Sequence, residues 1–145
     1  KINRENIHSI AKNYDYICDG TDNFKSRLLI NDYCIKYKKI LISSAISKYD
    51  GHIFSFNFKK DGPCLRCFMP NIPSLEQNCE TDGIMSTLAG IAGSIQANEV
   101  IKSILNIGKP LRNEIMIFNS LDLSFRKVKL NKNSNCKNHL HVLRK

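Results

Sequence analysis

The stretch Tyr16-Ile17-Cys18-Asp19-Gly20-Thr21-Asp22-Asn23-Phe24 constrains the fold most. An apolar run stops abruptly in two carboxylates, a glycine, a hydroxyl and an amide, and a helical pattern begins directly after them. This is a strand-to-helix crossing with polar chemistry at its tip. In open α/β sheets ligands sit at the carboxyl ends of the strands, because helix N-termini and loop amides converge there. Asp22 therefore stands where a ligand residue would. Asp, Thr and Asn are also good helix N-caps, and Gly20 can supply a turn, so on these residues alone capping and ligation are both open.

The rest of the chain reads as alternating strands and helices around that crossing. Residues 1 to 12 carry a weak helical pattern, and a strand is expected over 14 to 18. Phe24, Leu28, Leu29, Cys34 and Ile35 recur at helical spacing, which predicts a helix of about 14 residues closed by the cations Lys36 to Lys39. Ile40 to Ala45 is a continuous apolar run entering small polar residues, as in a buried parallel strand. Asp50-Gly51 signals a turn, and 52 to 58 alternates so that Phe54, Phe56 and Phe58 share one face of an antiparallel strand. Gly62, Pro63, Pro70 and Pro73 mark a long functional loop over 59 to 83. Leu88 to Leu105 predicts a long helix stopping at Gly108-Lys109-Pro110, on which Gly90 and Gly93 would admit a close neighbour. Two strands, 114 to 119 and 124 to 130, form a hairpin. The sequence has no internal repeats.

With 145 residues, 42% apolar and 24% charged, the chain has the means to bury one core, and disorder is not its default state. No apolar run reaches the roughly 18 residues of a membrane span, and the first residues lack the apolar segment of a signal peptide. The expectation is a cytoplasmic protein with no membrane partner. The formal charge of +9 is spread over scattered lysines without interleaved aromatics, so no specific nucleic-acid partner is expected. The six cysteines do not read as a disulfide framework in such a chain. Cys18 and Cys34 lie in apolar patterns and read as core thiols, whereas Cys64, Cys67, Cys79 and Cys136 lie in polar, turn-rich sequence.

Cys64-Leu65-Arg66-Cys67 is a C-x-x-C knuckle whose thiolates can share a tetrahedral zinc with ligands from elsewhere. Its flanking prolines argue against a redox motif, which should open a helix after a strand. Cys136-Lys137-Asn138-His139 offers the missing pair, giving a Cys3His set of Cys64, Cys67, Cys136 and His139. His141 competes for the fourth place, and a metal-free remnant is the alternative. Gln96 and Glu99, one turn apart on the long helix, read as structural and able to meet the loop after the strand at 40 to 45.

Taken in order, Asp19-Gly20-Thr21-Asp22-Asn23, Arg27, Asn31, Gly62-Pro63-Cys64-Leu65-Arg66-Cys67, Asn78-Cys79-Glu80, Gly83 and Gly93 through Lys102 resemble the ThiF/MoeB/HesA family, relatives of ubiquitin-activating enzymes. The resemblance runs from residue 1 to about residue 139. It implies a Rossmann-like α/β fold with a mixed sheet and flanking helices, here its C-terminal portion over 1 to 139 with a basic tail over 140 to 145. It also implies ATP-dependent adenylation of the C-terminal glycine of a small ubiquitin-like sulfur-carrier protein, in molybdopterin or thiamine biosynthesis, by an enzyme that commonly dimerises.

The resemblance assigns Asp22 to a catalytic Mg²⁺ and a zinc to the cysteines; Asn23 could bond nucleotide or carrier peptide, or serve the helix backbone, Arg27 is a weaker nucleotide-side candidate, and Asn31 could equally satisfy a buried carbonyl. Cys79 falls where some relatives keep a cysteine that joins the carrier covalently, and a plain thiol is the equal alternative. Gly83 and Gly90 would leave room for the carrier's glycine tail. The family's glycine-rich phosphate loop has no counterpart here, since no G-x-G-x-x-G occurs, and is expected upstream of Lys1. A non-catalytic zinc or carrier-binding remnant or split subunit is therefore the second reading. A dinucleotide oxidoreductase is the third, weakened by the same missing fingerprint.

Overall fold

The computed structural model describes residues 1–70, 83–136 and 138. In chain order the elements are α1 (Ile7–Ala11), β1 (Tyr16–Asp19), α2 (Phe24–Lys36), β2 (Ile40–Ser47), β3 (Asp50–Asn57), α3 (Leu65–Phe68), α4 (Thr87–Leu105), β4 (Glu114–Asn119) and β5 (Ser124–Lys129). The strands form one mixed sheet in the order β1-β2-β3-β4-β5. β1 and β2 are parallel, joined by the right length of chain for a helical crossover through α2, and the other pairs are antiparallel.

Two apolar layers follow from the period-2 alternation of the strands. On one face Leu41, Phe54, Phe56 and Ile115 pack under α1, α2 and α3 through Ile7, Ala11, Leu28, Tyr33, Cys34 and Leu65. On the other Ile40, Ile42, Ile53 and Phe118 pack under α4 through Leu88 and Ala92. The expected aromatic face of β3 is formed, with ring centroids 6.0 Å apart for Phe54 and Phe56 and 5.7 Å for Phe56 and Phe58. Burial of each such ring contributes roughly 1.5–3 kcal/mol. The short α1 joins this layer through Ile7 and Ala11, which are buried.

Three local readings are corrected. The β2–β3 hairpin turns at Lys48 and Tyr49, with Ser47 opposite Asp50 and Lys48 at φ 43°. Asp50-Gly51 lies within β3 because Gly51 is needed for space: a Cβ there would come within 2.1 Å of the Phe118 ring. Cys18 is exposed, since β1 is the edge strand among the described residues and one of its faces is uncovered there. A Cβ at Gly90 or Gly93 would meet none of the described residues beyond its own helix turn within 4 Å, because α4 buries the face of Leu88, Ala92, Gln96 and Glu99 instead. Among the described residues no helix is long and apolar enough to cross a membrane.

Candidate active site and cysteine cluster

The loop between β1 and α2 is held from both faces of the sheet. Asp19, 1% exposed at the end of β1, accepts from the backbone N–H and hydroxyl of Thr21 at 2.9 and 2.7 Å and from the Ser43 hydroxyl at 2.7 Å. From α2, the buried Arg27 donates to the Ser43 hydroxyl at 2.9 Å, to the Ser44 carbonyl at 2.7 Å and to the Thr21 carbonyl. Its guanidinium lies 3.6 Å from the Asp19 carboxylate. Removing one partner of such a buried pair costs about 3–5 kcal/mol, because a charge is left uncompensated.

From the opposite face, α4 supplies Gln96. Its amide donates to the carbonyls of Asp19 at 3.0 Å and Ile42 at 2.8 Å, and its oxygen accepts from Ser44 at 3.2 Å. One side chain thereby ties the end of β1 to the body of β2, a structural role as expected, but within the sheet rather than at the loop after β2. Glu99 meets a different segment, accepting from the Leu111 backbone at 2.7 Å while pairing with Lys102.

The capping question is decided by geometry. Asn23 is the N-cap of α2, with extended backbone and its side-chain oxygen accepting from the Ser26 N–H at 2.8 Å. Asp22 is exposed at the loop tip and receives one side-chain bond, from Asn23 at 3.0 Å. That bond is the first cause holding its carboxyl below the ordinary aspartate range, so Asp22 is an anion at neutral pH. An exposed carboxylate oxygen suits a hard, water-retaining cation such as Mg²⁺. A hollow of about 250 Å³ lies at the edge of the sheet between β1, α1 and α2, lined by residues such as Ile7, Ile10, Ala11, Tyr14, Ile17 and Tyr33. It is apolar and does not include Asp22.

Away from this tip, α3 and the C-terminal segment bring three cysteines together. Cys64 Sγ lies 3.8 Å from Cys67 Sγ and 3.7 Å from Cys136 Sγ, and all three fall within 4.8 Å of one another. These separations are too long for disulfides. A tetrahedral zinc with Zn–S of about 2.3 Å has sulfur-to-sulfur edges of roughly 3.8 Å, so the donor set and its spacing fit zinc. Burial first, and then the neighbouring Cys67 and Cys136, push the Cys64 thiol far up. A bound cation reverses that logic by favouring the thiolates. The expected ligand His139, its competitor His141, Cys79 and the tail 140 to 145 lie outside the described residues.

Sequence reasoning missed the polar pair Asn31 and Asp32 as builders of this cluster. Asn31, fully buried on α2, accepts from the Leu65 N–H at 3.0 Å and so holds the backbone of the knuckle. Asp32 binds Arg66. Arg27 and Asn31 are four residues apart and share a helix face, a spacing visible in the sequence, but nothing local reveals which segments they meet.

Comparison with known proteins agrees with this architecture. Residues 1–138 match the ThiF family. The chain is 37% identical over 139 residues to "Adenylyltransferase and sulfurtransferase MOCS3" of Drosophila willistoni, covering 93% of this chain and 30% of that protein. It is 34% identical over 142 residues to "Sulfur carrier protein adenylyltransferase" of Thermus thermophilus, covering 94% of this chain and 52% of the relative. "Probable molybdopterin-synthase adenylyltransferase" of Pyropia yezoensis is 38% identical over 133 residues, 90% of this chain and 35% of the relative. The chain thus spans about half or less of the length of these relatives. The crystal structure of E. coli MccB with MccA-N7isoASN superposes with a TM-score of 0.77 at 16% identity, covering 94% of this chain and 44% of that one, which shows a shared fold. The chain belongs to the ThiF family.

Proposed function

We propose that this chain contributes the metal-binding and zinc-stabilised part of an ATP-dependent adenylyltransferase that activates the C-terminal glycine of a small ubiquitin-like sulfur-carrier protein. The observation that carries this is Asp22, an exposed anion presented at a strand end by a clamp from both faces, while the capping duty falls to Asn23. The names of the relatives support the reaction class. Asp22 would hold a Mg²⁺, which would supply positive charge to offset the negative charge gathering as the carrier's carboxylate attacks the α-phosphate and pyrophosphate leaves. Asn23 sets the helix start beside it. Arg27 acts as a positioning residue, because its guanidinium is committed to Ser43, Ser44 and Thr21. Cys64, Cys67 and Cys136 would hold zinc as a structural clamp, with His139 as the proposed fourth ligand.

In this reading Cys79 is not needed for adenylation, since the attacking group is the carrier's own carboxylate. The setting is cytoplasmic, in molybdopterin or thiamine biosynthesis, and the protein is a homodimer, for which the exposed Ile101, Ile104 and Leu105 of α4 and Phe125 of β5 offer apolar surface. Carrier-dependent ATP–pyrophosphate exchange by the full-length protein is the test. Exchange in wild type and its loss in Asp22→Ala are expected; exchange retained by Asp22→Ala would remove the assignment. Carrier binding without exchange in wild type would favour a zinc and carrier-binding subunit, a reading supported by the three-cysteine cluster.

A further inference from the structure

The two arms of the cysteine cluster come from segments 72 residues apart in sequence, and the thiols themselves supply little to hold them together before a metal arrives. Once ionised they repel one another, and burial disfavours their charge. Something else must fix the arms. Asp32 on α2 touches both. It takes a two-pronged contact from Arg66, Nε to Oδ1 at 2.9 Å and Nη2 to Oδ2 at 2.7 Å, and Arg66 stands between Cys64 and Cys67. It also accepts from the Asn138 amide at 2.8 Å, two residues after Cys136, and from Asn31 at 3.1 Å. Neighbouring Asn31 holds the backbone of Leu65.

We propose that Asp32 is a positioning residue for the cysteine cluster, joining its two arms through Arg66 and Asn138 in the arrangement that accepts a thiophilic divalent cation. This rests on the zinc reading above. The planar fork of Arg66 matches the carboxylate, so the contact fixes orientation as well as distance. Held there by Asp32, between Cys64 and Cys67 in sequence, the guanidinium would offset part of the excess negative charge of a thiolate-rich zinc complex. Partners of this kind one step beyond the ligands change metal affinity by about 10–100-fold when removed.

The test is zinc affinity, measured on the full-length protein by competition with a chromophoric chelator, for wild type, Asp32→Asn, Asn138→Ala and Glu5→Gln as an exposed charge control. Urea unfolding in excess chelator reports the metal-free fold separately. Asp32→Asn and Asn138→Ala should each weaken zinc by about 10–100-fold, their double variant by less than the product, and Glu5→Gln not at all. Cobalt substitution should still show thiolate charge-transfer bands in the variants, since the ligands remain. A merely structural Asp32 would lower the unfolding midpoint in chelator and leave the zinc Kd within twofold of wild type; that result in both variants overturns the proposal. Should Asp32→Asn not fold, Asn138→Ala decides alone, because Asn138 is only part-buried. A wild type that binds no zinc overturns the metal reading and this proposal together, whereas tight binding in every variant overturns this proposal only.

Discussion

Asp22 and Asn23 are adjacent, both polar and both suited to a helix start, yet they should respond to truncation in opposite ways. Asn23→Ala removes the bond to the Ser26 N–H at 2.8 Å and leaves one of the first N–H groups of α2 without its side-chain acceptor. Loss of such a cap costs about 1 kcal/mol. The 13-residue α2 is too short to be stable alone, so its loosening is felt by the whole domain. With a urea m-value of about 2 kcal/mol/M, the midpoint should fall by roughly 0.5 M. In a domain of this length the thermal midpoint should fall by about 3–4 °C.

Asp22→Ala should leave both midpoints where they are, because its carboxylate is exposed and its one side-chain bond runs to Asn23. Asn23→Ser, which keeps a capping oxygen, should recover most of the lost stability. Exchange activity should show the reverse order, with Asp22→Ala inactive. Asn23→Ser should retain activity with some loss, since the bond from the Asn23 amide that steadies Asp22 is gone. If Asp22→Ala lowers the urea midpoint as much as Asn23→Ala, Asp22 belongs to the cap and the argument for a metal-binding carboxylate fails.

Gln96→Met keeps the volume but strips the amide from the Asp19 and Ile42 carbonyls, which should cost about 2–4 kcal/mol by denaturant unfolding, since each buried group left unsatisfied costs about 1–3 kcal/mol; a loss under about 1 kcal/mol would show that these carbonyls find other partners. Freshly purified protein should carry about one zinc per chain, and a strong chelator should lower its unfolding midpoint. Less than about a tenth of an equivalent, with an unchanged midpoint, would remove the zinc clamp.

How far the sequence could be read follows from the range of each signal. The strand–helix crossing, the aromatic face of β3 and the β4–β5 hairpin rest on spacings of two to four residues, and all three are formed. Gly51 misled because an Asp-Gly pair signals a turn equally well wherever it stands, while the register that makes Gly51 a strand residue depends on Phe118, far along the chain. Cys18 misled because an apolar run does not say which side of its strand is covered. In α2 the buried face includes Ser26, Arg27 and Asn31, so counting apolar residues alone places its most consequential side chains on the wrong side.

Those polar residues also explain why the two proposed centres belong to one device. Arg27 grips the loop after β1 and the middle of β2, and four residues later Asn31 grips the knuckle, with Asp32 beside it reaching both cysteine arms. The i, i+4 spacing puts Arg27 and Asn31 on the same buried face of a single helix, and among the described residues no buried side-chain nitrogen or oxygen is left without a partner. A polar helix face is costly to bury unless every group is matched. Matching requires the β1 loop, the C-x-x-C segment and the C-terminal segment to be in place together. The purely apolar alternative at these positions would pack α2 on the sheet but leave both the Asp22 loop and the cysteine arms free to wander. Stabilisation by apolar burial is shared along the whole helix, whereas the hydrogen bonds of Asn23, Arg27, Asn31 and Asp32 are directed at the helix start, the β1 loop with β2, the knuckle and the two cysteine arms respectively. Their placement on α2 is what converts a packed crossover helix into a frame for two sites.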